Sequence, residues 1–219
     1  MSRKIEKDIE LYYAERAYEY NKTLLRPERQ KDIKKLQKML KTLLNAHTVL
    51  EVACGTGYWT KTIASVSKFA TAVDINENVL QIAKSHGILS DKVIFIQDDV
   101  FSLNKIKDNF SAGFAGSWWS HILKSKLKEF LTLFHSKLHS NALVVFLDNR
   151  RVKTSSLPIS RIDSDGNTYQ IRKLEDGREY EILKNFPTKK EIRETIGNKV
   201  KNLKIKFLTY FWIVSYNIE

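Results

Sequence analysis

The sequence is short of the residues that cross-link a chain or interrupt its regular structure. Its 219 residues include three prolines and one cysteine, Cys54. A single cysteine excludes a disulfide within the chain and is typical of a reducing compartment. No run approaches the roughly 18 apolar residues of a membrane helix, and the opening MSRKIEKDIE lacks the apolar stretch of a secretory signal. We therefore expect a cytoplasmic protein without a membrane segment.

Acidic residues are also in the minority. Thirty-seven Lys and Arg stand against 25 Asp and Glu, so the formal net charge is +12. Such a charge can indicate binding to nucleic acid, to an anionic membrane or to an acidic substrate. The lysines are nevertheless spread along the whole chain, and many share helices with acids or alternate with apolar residues. We interpret them mainly as a solvated surface and keep nucleic acid as the less favoured partner.

Two amphipathic helices are predicted first, and strands then alternate with helices from residue 48 onward. The strands are apolar runs: TVLEVA, KFATAVD, KVIFIQ, FSAGFAG and ALVVFLD. Such runs separated by helices are typical of a parallel sheet covered on both faces. After Asp148, two polar strands around Asp176-Gly177 predict a β-hairpin, and Thr188 with Glu191 predicts the start of a helix. The last two strands predict an antiparallel hairpin at the sheet edge.

The most informative segment is a strand that ends in a glycine-containing turn and opens a helix. It reads VLEVACGTGY over residues 49–58. Gly55 and Gly57 let the backbone turn sharply and let a ligand approach closely. The start of the following helix offers unpaired N–H groups to an anion. Because the third glycine of a dinucleotide fingerprint is missing, a pyrophosphate is not the favoured ligand.

Acidic residues follow the next two strands at corresponding positions. Asp74 ends the second strand, where a carboxylate can accept hydrogen bonds from ribose hydroxyls. Asp98-Asp99-Val100 ends the third strand, where a carboxylate can take an exocyclic amine while the ring packs on the apolar side chain. Each acid alone is weak evidence, since loops after strands often hold Asp as a turn residue. Together with the glycine turn, they predict a cofactor that carries an adenosine.

This constellation resembles the class I S-adenosylmethionine-dependent methyltransferases. VLEVACGTGYWT is similar to their first motif, AVDIN to their acidic second-strand motif and FIQDDVFSL to their third. The resemblance extends to FSAGFAGSWWSHI and ALVVFLDN, so it covers roughly residues 47–149. It implies a Rossmann-like fold, S-adenosylmethionine as the cofactor and S-adenosylhomocysteine as its product.

The resemblance also implies roles for individual residues. The residues expected around the methionine part are Glu51, Ala53, Gly55 and Gly57. Asp74 is expected at the ribose, and Asp99 with Val100 at the adenine. The predicted cofactor site is completed by Cys54, Ile75, Asp98 and Gly116. Ala53 stands where the family most often has glycine, and alanine fits there if its φ is negative.

The predicted fold class is α/β, a Rossmann-like doubly wound and mostly parallel sheet with an antiparallel C-terminal edge hairpin. We expect a single class I methyltransferase domain, 1–219, because no linker is evident. Its expected parts are an N-terminal helical lid (1–46), a cofactor-binding core (47–149), a small β insertion (151–187), and a C-terminal helix with edge strands (188–219).

Candidates for acceptor binding and catalysis follow the fourth strand, where the family usually lines the crevice. Trp118 and Trp119 can form an apolar wall for a substrate, and His121 can act as a base near neutral pH. The alternative is that the tryptophans pack under the next helix and that His121 makes a local hydrogen bond.

Further candidates lie in the first helix and among the arginines. Tyr12, Tyr13, Tyr18 and Tyr20 crowd that helix. Tyr12 is predicted to contact substrate and Tyr13 to act in catalysis, unless the rings only attach the helix to the domain. The arginines able to bind an acidic substrate are Arg26, Arg29, Arg150, Arg151, Arg161 and Arg172. Arg150 is the best placed, just after the fifth strand.

A metal site is not predicted. His135 and His139 have a spacing that can bind zinc, but no third ligand is visible nearby.

The sequence therefore predicts a methyltransferase that acts on an oxygen or nitrogen of a small molecule, as a monomer or homodimer. Methylation of RNA or protein is one alternative. A non-catalytic S-adenosylmethionine-binding protein is another, and a domain for a different nucleotide is a third.

Overall fold

The computed structural model describes residues 2–16, 22–88, 91–107 and 109–219. The helices are α1 (Ser2–Glu15), α2 (Gln30–Leu43), α3 (Tyr58–Ala64), α4 (Glu77–Ser85), α5 (Leu127–Ser136) and α6 (Lys189–Ile196). The strands of the large sheet are β1 (Thr48–Val52), β2 (Phe69–Asp74), β3 (Val93–Gln97), β4 (Phe110–Gly116), β5 (Leu138–Asn149), β9 (Val200–Phe207) and β10 (Phe211–Ile218). The strands of the small sheet are β6 (Arg161–Ile162), β7 (Thr168–Lys173) and β8 (Glu179–Leu183).

The large sheet has the order β3-β2-β1-β4-β5-β10-β9. Its first five strands are parallel, whereas β10 pairs antiparallel with both β5 and β9. The strand order reverses between β1 and β4, which is where open α/β sheets form their ligand crevice. The predicted Rossmann-like sheet with an antiparallel C-terminal hairpin is confirmed.

Apolar side chains cover both faces of this sheet, because successive residues of a strand point to opposite sides. In β1, Leu50 and Val52 pack with α5, while Val49 packs with α2 and α3. The apolar stripe of α2 that the sequence predicts is buried, with Leu36 and Leu40 inaccessible to solvent. Within the described residues, no helix is long and apolar enough to cross a bilayer.

The segment between β5 and α6 folds against α1. The predicted hairpin around Asp176-Gly177 is present, as β7 and β8 pair antiparallel. An apolar cluster joins Tyr12 of α1 to Ile182 of β8. At its rim Glu15 accepts hydrogen bonds from Arg178 and Tyr180 at 2.5 and 2.7 Å. These contacts hold α1 against the insertion.

One predicted boundary lies outside the described residues and another differs from expectation. The sequence predicts a first helix that continues beyond Glu15, and Ala17, Tyr18 and Tyr20 of that prediction lie outside the described residues. The helix predicted over SKLKEFLTLFHSKLH ends at Ser136 instead, because Leu138 already pairs with Phe110 of β4. The predicted capping box at the start of α6 is present between Thr188 and Glu191.

Candidate functional site

A cavity of about 490 Å³ opens where β1, β2 and β4 end. Its walls come from the turns that follow these strands and β3, with α1 across the opening. This position is the crevice that the sheet order predicts. The predicted cofactor residues that line it are Ala53, Gly55, Asp74, Ile75, Asp99, Val100 and Gly116.

The glycines of the first turn serve two different needs. Gly55 has a φ of +55°, and a Cβ built on it would meet no atom within 4 Å. Glycine is therefore needed there for conformation, and it leaves the backbone open to the cavity. Gly57, with a φ of +77°, lies behind the lining, where an added Cβ would come within 3.0 Å of Ala83 Cβ. It is needed both for the turn and for the close packing of α4.

Ala53 departs from the expected conformation. Its φ is +52°, so the condition of a negative φ is not met. A side chain in the left-handed region costs roughly 1–2 kcal/mol, because Cβ approaches the following carbonyl oxygen. The turn therefore keeps the backbone that a glycine would adopt, with a methyl group added beside the cavity.

Asp74 ties the first turn to the second strand. Its Oδ2 accepts a hydrogen bond from the Gly55 N–H at 2.8 Å, and its Oδ1 accepts one from the Asn76 N–H at 3.0 Å. The carboxylate is half-buried and lines the cavity. It is placed to accept hydrogen bonds from a ligand in addition to those of the backbone.

The paired acids after β3 have separate tasks. Asp99 lines the cavity, and its Oδ1 accepts a hydrogen bond from the Phe101 N–H at 2.9 Å. Asp98 is buried away from the cavity, and its two oxygens accept the N–H groups of Asp99 and Lys105 at 2.9 and 2.7 Å. The structure therefore does not bring Asp98 to the site, because the loop uses its carboxylate.

Two other predicted cofactor residues, Glu51 and Cys54, lie behind the cavity wall. Cys54 is buried, and its carbonyl accepts the Gly57 N–H at 3.1 Å, so it is a packed part of the turn. Burial raises the pKa of its thiol well above the ordinary value. Glu51 is 1% exposed, and its Oε2 has no hydrogen-bond partner. Burial raises the pKa of Glu51 to about 8, so this carboxyl is largely protonated at neutral pH.

The two predicted catalytic residues meet at the mouth of the cavity. Tyr13 Oη and His121 Nε2 are 2.9 Å apart. His121 Nδ1 lies 2.7 Å from the carbonyl oxygen of Leu183, which can only accept, so Nδ1 carries the proton and Nε2 accepts the Tyr13 hydroxyl. Burial, with the nearby charges of Lys184 and Arg172, lowers the pKa of His121 well below its ordinary value. The imidazole is therefore neutral at physiological pH.

The two tryptophans point in different directions. Trp118 lines the cavity beside Phe101, with ring centroids 5.9 Å apart. Trp119 is 2% exposed and packs edge-on against Phe146 and Trp212. The structure does not bring Trp119 to either of the cavities near the predicted site, because the 3₁₀ turn after β4 directs this ring into the core.

A second cavity of about 580 Å³ adjoins the first. Tyr13, Ser117 and His121 line both cavities and so mark their junction. The second cavity is formed by α1, residues 23–29, the segment after β5, and β7. Two predicted substrate residues, Tyr12 and Arg150, line it.

Those two residues are already engaged with the protein. Tyr12 is 1% exposed, and its hydroxyl accepts a hydrogen bond from Arg16 at 2.8 Å. Arg150 donates to the carbonyl of Leu208 and lies 5.1 Å from the Phe207 ring, so it also holds the C-terminal hairpin.

Sequence reasoning missed a buried ion pair in the wall of the second cavity. Lys184 Nζ lies 3.0 Å from Asp148 Oδ1 and 2.5 Å from Ser120 Oγ. Lys184 is 4% exposed and Asp148 is inaccessible to solvent. No sequence signal marks Lys184, because it follows a polar strand in which a lysine is ordinarily solvated. The sequence places Asp148 at the end of an apolar strand and predicts no further role for it.

The histidines with zinc-like spacing do not meet. His135 Nε2 is 2.8 Å from the Tyr216 hydroxyl, whereas His139 is exposed. The described part of the chain holds no group of three or more His, Cys, Asp or Glu side chains arranged to bind a metal ion.

Residues 49–141 match a family model described as a methyltransferase domain. None of the curated proteins matches the chain. A solved DhpI–SAH complex is 24% identical, with 99% of this chain and 98% of that one aligned at a TM-score of 0.81. A DhpI–SAM–HEP complex is 23% identical over 97% of each chain, with a TM-score of 0.79. Magnesium protoporphyrin IX methyltransferase (ChlM) from Synechocystis PCC 6803, solved with bound SAM, is 12% identical over 95% and 91% at 0.60.

The structural likenesses, all below 25% identity, establish the fold over nearly the whole chain. The family match adds the domain type for residues 49–141. The chain therefore has the fold of these solved structures, and its residues 49–141 are similar to a methyltransferase domain.

Proposed function

We propose that the chain is an S-adenosylmethionine-dependent methyltransferase that transfers a methyl group to an oxygen or nitrogen of a small molecule. The observation that carries this proposal is the pair of adjoining cavities. One lies within the methyltransferase domain at the crevice of the sheet, and the other meets it at Tyr13, Ser117 and His121. A transfer between two molecules needs one site for each, with the reacting atoms brought together where the sites join.

The residues of the first cavity fit S-adenosylmethionine. Asp74 offers a carboxylate for ribose hydroxyls, and Asp99 with Val100 offers a carboxylate and an apolar surface for adenine. The open backbone at Gly55 leaves room for the amino acid part. Behind the turn, the unpartnered Oε2 of Glu51 is a buried polar atom that the protein itself does not satisfy. When bound, S-adenosylmethionine supplies a methyl group on a sulfonium that is already activated.

The protein's own part is alignment and the exclusion of water. Ile9 and Tyr13 of α1 lie across the first cavity, and Phe101 with Trp118 adds an aromatic wall. His121 accepts the Tyr13 hydroxyl hydrogen and thereby fixes the direction of that hydroxyl at the junction. Because His121 is neutral and its Nδ1–H is held by Leu183, we assign it to positioning Tyr13. Tyr13 then orients the acceptor.

A small acceptor is favoured over a macromolecule by the second cavity. Its volume of about 580 Å³ lies in the range of small-molecule sites, roughly 300–1,000 Å³. The net charge of +12 is the observation that favours RNA as the alternative acceptor. The single buried cysteine supports the reducing environment of the cytoplasm as the place of action.

The test is calorimetric binding of S-adenosylmethionine to the wild type, to Asp74→Ala and to Asp91→Ala. Asp91 is an exposed turn residue outside the cavity and serves as the matched control. We expect Asp91→Ala to bind like the wild type, and Asp74→Ala to bind at least about tenfold more weakly, a loss of about 1.4 kcal/mol.

Thermal unfolding of both variants shows whether the turn that Asp74 anchors still folds. No binding to the wild type at millimolar ligand would exclude this cofactor and with it the proposed function.

A further inference from the structure

The second cavity has a strongly cationic lining. Seven Lys or Arg residues contribute to it, against a single acidic residue, Glu28, which is exposed. Six of the seven are Arg26, Arg29, Arg150, Arg172, Lys173 and Lys184. The first cavity differs, since its lining contains two aspartates and no Lys or Arg. Of the two adjoining cavities, only the second is therefore lined by basic side chains.

Arg29 is buried in this wall without a counter-ion. Arg29 is 7% exposed, and its Cζ lies 5.8 Å from the ring centres of Tyr210 and Phe211. Its two terminal nitrogens reach only neutral oxygens, Asn149 Oδ1 at 3.2 Å and Ser155 Oγ at 3.5 Å. Its Nε has no hydrogen-bond partner. A buried guanidinium carries a desolvation cost, and burial lowers the pKa of Arg29 although the exposed Glu28 acts against this.

Arg172 of β7 lines the same cavity, is half-buried and lies 5.7 Å from the Tyr12 ring centre. It donates to the hydroxyl of Tyr13 at 2.9 Å and to Oε1 of Gln170 at 3.4 Å, and its Nε also lacks a partner. No carboxylate among the described residues forms an ion pair with Arg29 or Arg172. Two other cations do have an acidic partner, as Lys184 pairs with Asp148 in the same wall and Arg161 pairs with Glu181 outside the cavity.

We infer that the second cavity binds an acidic methyl acceptor, whose carboxylate or phosphoryl oxyanion is held by Arg29 and Arg172. This inference rests on the proposed function for its reaction, but not for the binding of the anion. An oxyanion supplies a counter-charge and accepts charge-assisted hydrogen bonds from the guanidinium groups. Guanidinium groups suit both carboxylates and phosphoryl groups, because their planar donors match the spacing of two oxygens.

The position of Arg172 connects the anion site to the reaction site. Arg172 donates to Tyr13, and Tyr13 donates to His121 at the junction of the cavities. An acid group at Arg172 therefore lies one side chain away from the junction. The remainder of a small acceptor can reach the junction while its acid group stays bound, which is the alignment that methyl transfer requires.

The test is a calorimetric titration of the full chain with inorganic phosphate and, separately, with succinate, against sodium chloride at matched ionic strength. No cofactor is present, so the result does not depend on the first cavity. We expect one of the two anions to bind with a stoichiometry of one. Arg29→Gln and Arg172→Gln should each weaken that binding about tenfold or more, as expected for the loss of a charge-assisted contact. Arg161→Gln, outside the cavity and paired with Glu181, is the control and should leave binding unchanged.

Binding of phosphate alone identifies a phosphoryl acceptor, and binding of succinate alone identifies a carboxylate acceptor. Either result supports the inference. Binding of neither anion at about 10 mM overturns it, since this corresponds to a binding free energy weaker than about 2.7 kcal/mol. Binding that both Gln variants retain also overturns it. Single-stranded oligouridylate that displaces phosphate and loses affinity in the same variants would replace the small acceptor with RNA.

A binding assay with S-adenosylhomocysteine completes the experiment. Variants that still bind it have kept the fold, so their loss of anion binding reports on the site. Where a Gln variant does not fold, the Lys variant takes its place and should weaken binding severalfold, because lysine keeps the charge but lacks the fork of donors. A wild type that binds the anion but not S-adenosylhomocysteine would refute the proposed function and leave the anion site standing.

Discussion

The two cavities meet at three residues but are built in different ways. The first cavity comes from strand-to-helix turns of one sheet, and its charged lining groups are the half-buried carboxylates of Asp74 and Asp99. The second cavity joins α1, residues 23–29, the end of β5 and the insertion, and its recognition groups are guanidinium and ammonium side chains. The first kind of site follows from local sequence patterns. The second exists only after distant segments have come together.

The largest effect is expected at the ion pair in the wall of the second cavity. Asp148→Ala leaves Lys184 buried without its partner and frees the N–H groups of Ser120 and Asn149. Removing one member of a buried pair costs about 3–5 kcal/mol. Urea unfolding at pH 7 measures the change in the free energy of unfolding.

Lys190→Ala is the matched control for that prediction. Lys190 forms an exposed pair with Glu194 at 3.9 Å, and exposed pairs contribute about 0–1 kcal/mol. If Asp148→Ala also lost less than about 1 kcal/mol, the buried pair of Lys184 and Asp148 would contribute no more to stability than an exposed pair.

A pH-dependent effect of intermediate size is expected behind the cofactor cavity. The pKa of Glu51 is raised by burial to about 8, above its value in the unfolded chain. Between the two pKa values the folded state therefore binds more protons than the unfolded state. The free energy of unfolding of the wild type is highest below pH 4.5 in this respect, and it declines as the pH rises from there to about 8. Glu51→Gln stays neutral and avoids this loss, so its advantage over the wild type should grow by up to about 1.4 kcal/mol per pH unit.

Urea unfolding of the wild type and Glu51→Gln at pH 5, 6.5 and 8 checks this expectation. Glu194→Gln, an exposed position, should show a constant difference across the same range. A constant difference for Glu51→Gln would mean that its carboxyl is ionised in the folded protein.

The smallest effect is expected from two alanines with a positive φ. Ala53→Gly and Ala46→Gly each relieve a left-handed side chain, with φ of +52° and +61°. The relief of roughly 1–2 kcal/mol exceeds the added chain entropy of glycine, roughly 0.5–1 kcal/mol, so each variant should gain about 0.5–1 kcal/mol. Only Ala53 lines the cofactor cavity, so only Ala53→Gly should also bind S-adenosylmethionine more tightly.

Thermal unfolding of the two variants measures the gain in stability, and calorimetry measures the change in affinity for S-adenosylmethionine. Equal changes in cofactor affinity would show that the Ala53 methyl group does not limit the cavity.

The fold was accessible from sequence because its signals are local. Apolar runs alternating with amphipathic helices specify strands that need cover on both faces, and the structure contains β1 to β5 where those runs occur. The turn at Gly55 and the acid at Asp74 were predicted for the same reason, since both follow directly from the end of a strand.

Other features depend on direction or on distance. The sequence does not show which of two adjacent acids faces a cavity, so Asp98 was assigned to the site although its loop uses both oxygens. The same holds for the two adjacent tryptophans, because the ring of Trp118 lines the first cavity whereas the ring of Trp119 points into the core. Lys184 became significant only because the insertion brings it to Asp148, 36 residues away along the chain.

Helix α1 has a consequence for the order of events at the site. Its Tyr13 belongs to the walls of both cavities, and its Ile9 lies across the first. The helix is held by contacts of Tyr12 and Glu15 with the insertion. A displacement of α1 that admits one molecule therefore also unmakes part of the other molecule's site. We therefore expect entry and departure at the two cavities to be kinetically coupled, so that residence time at one depends on occupancy of the other.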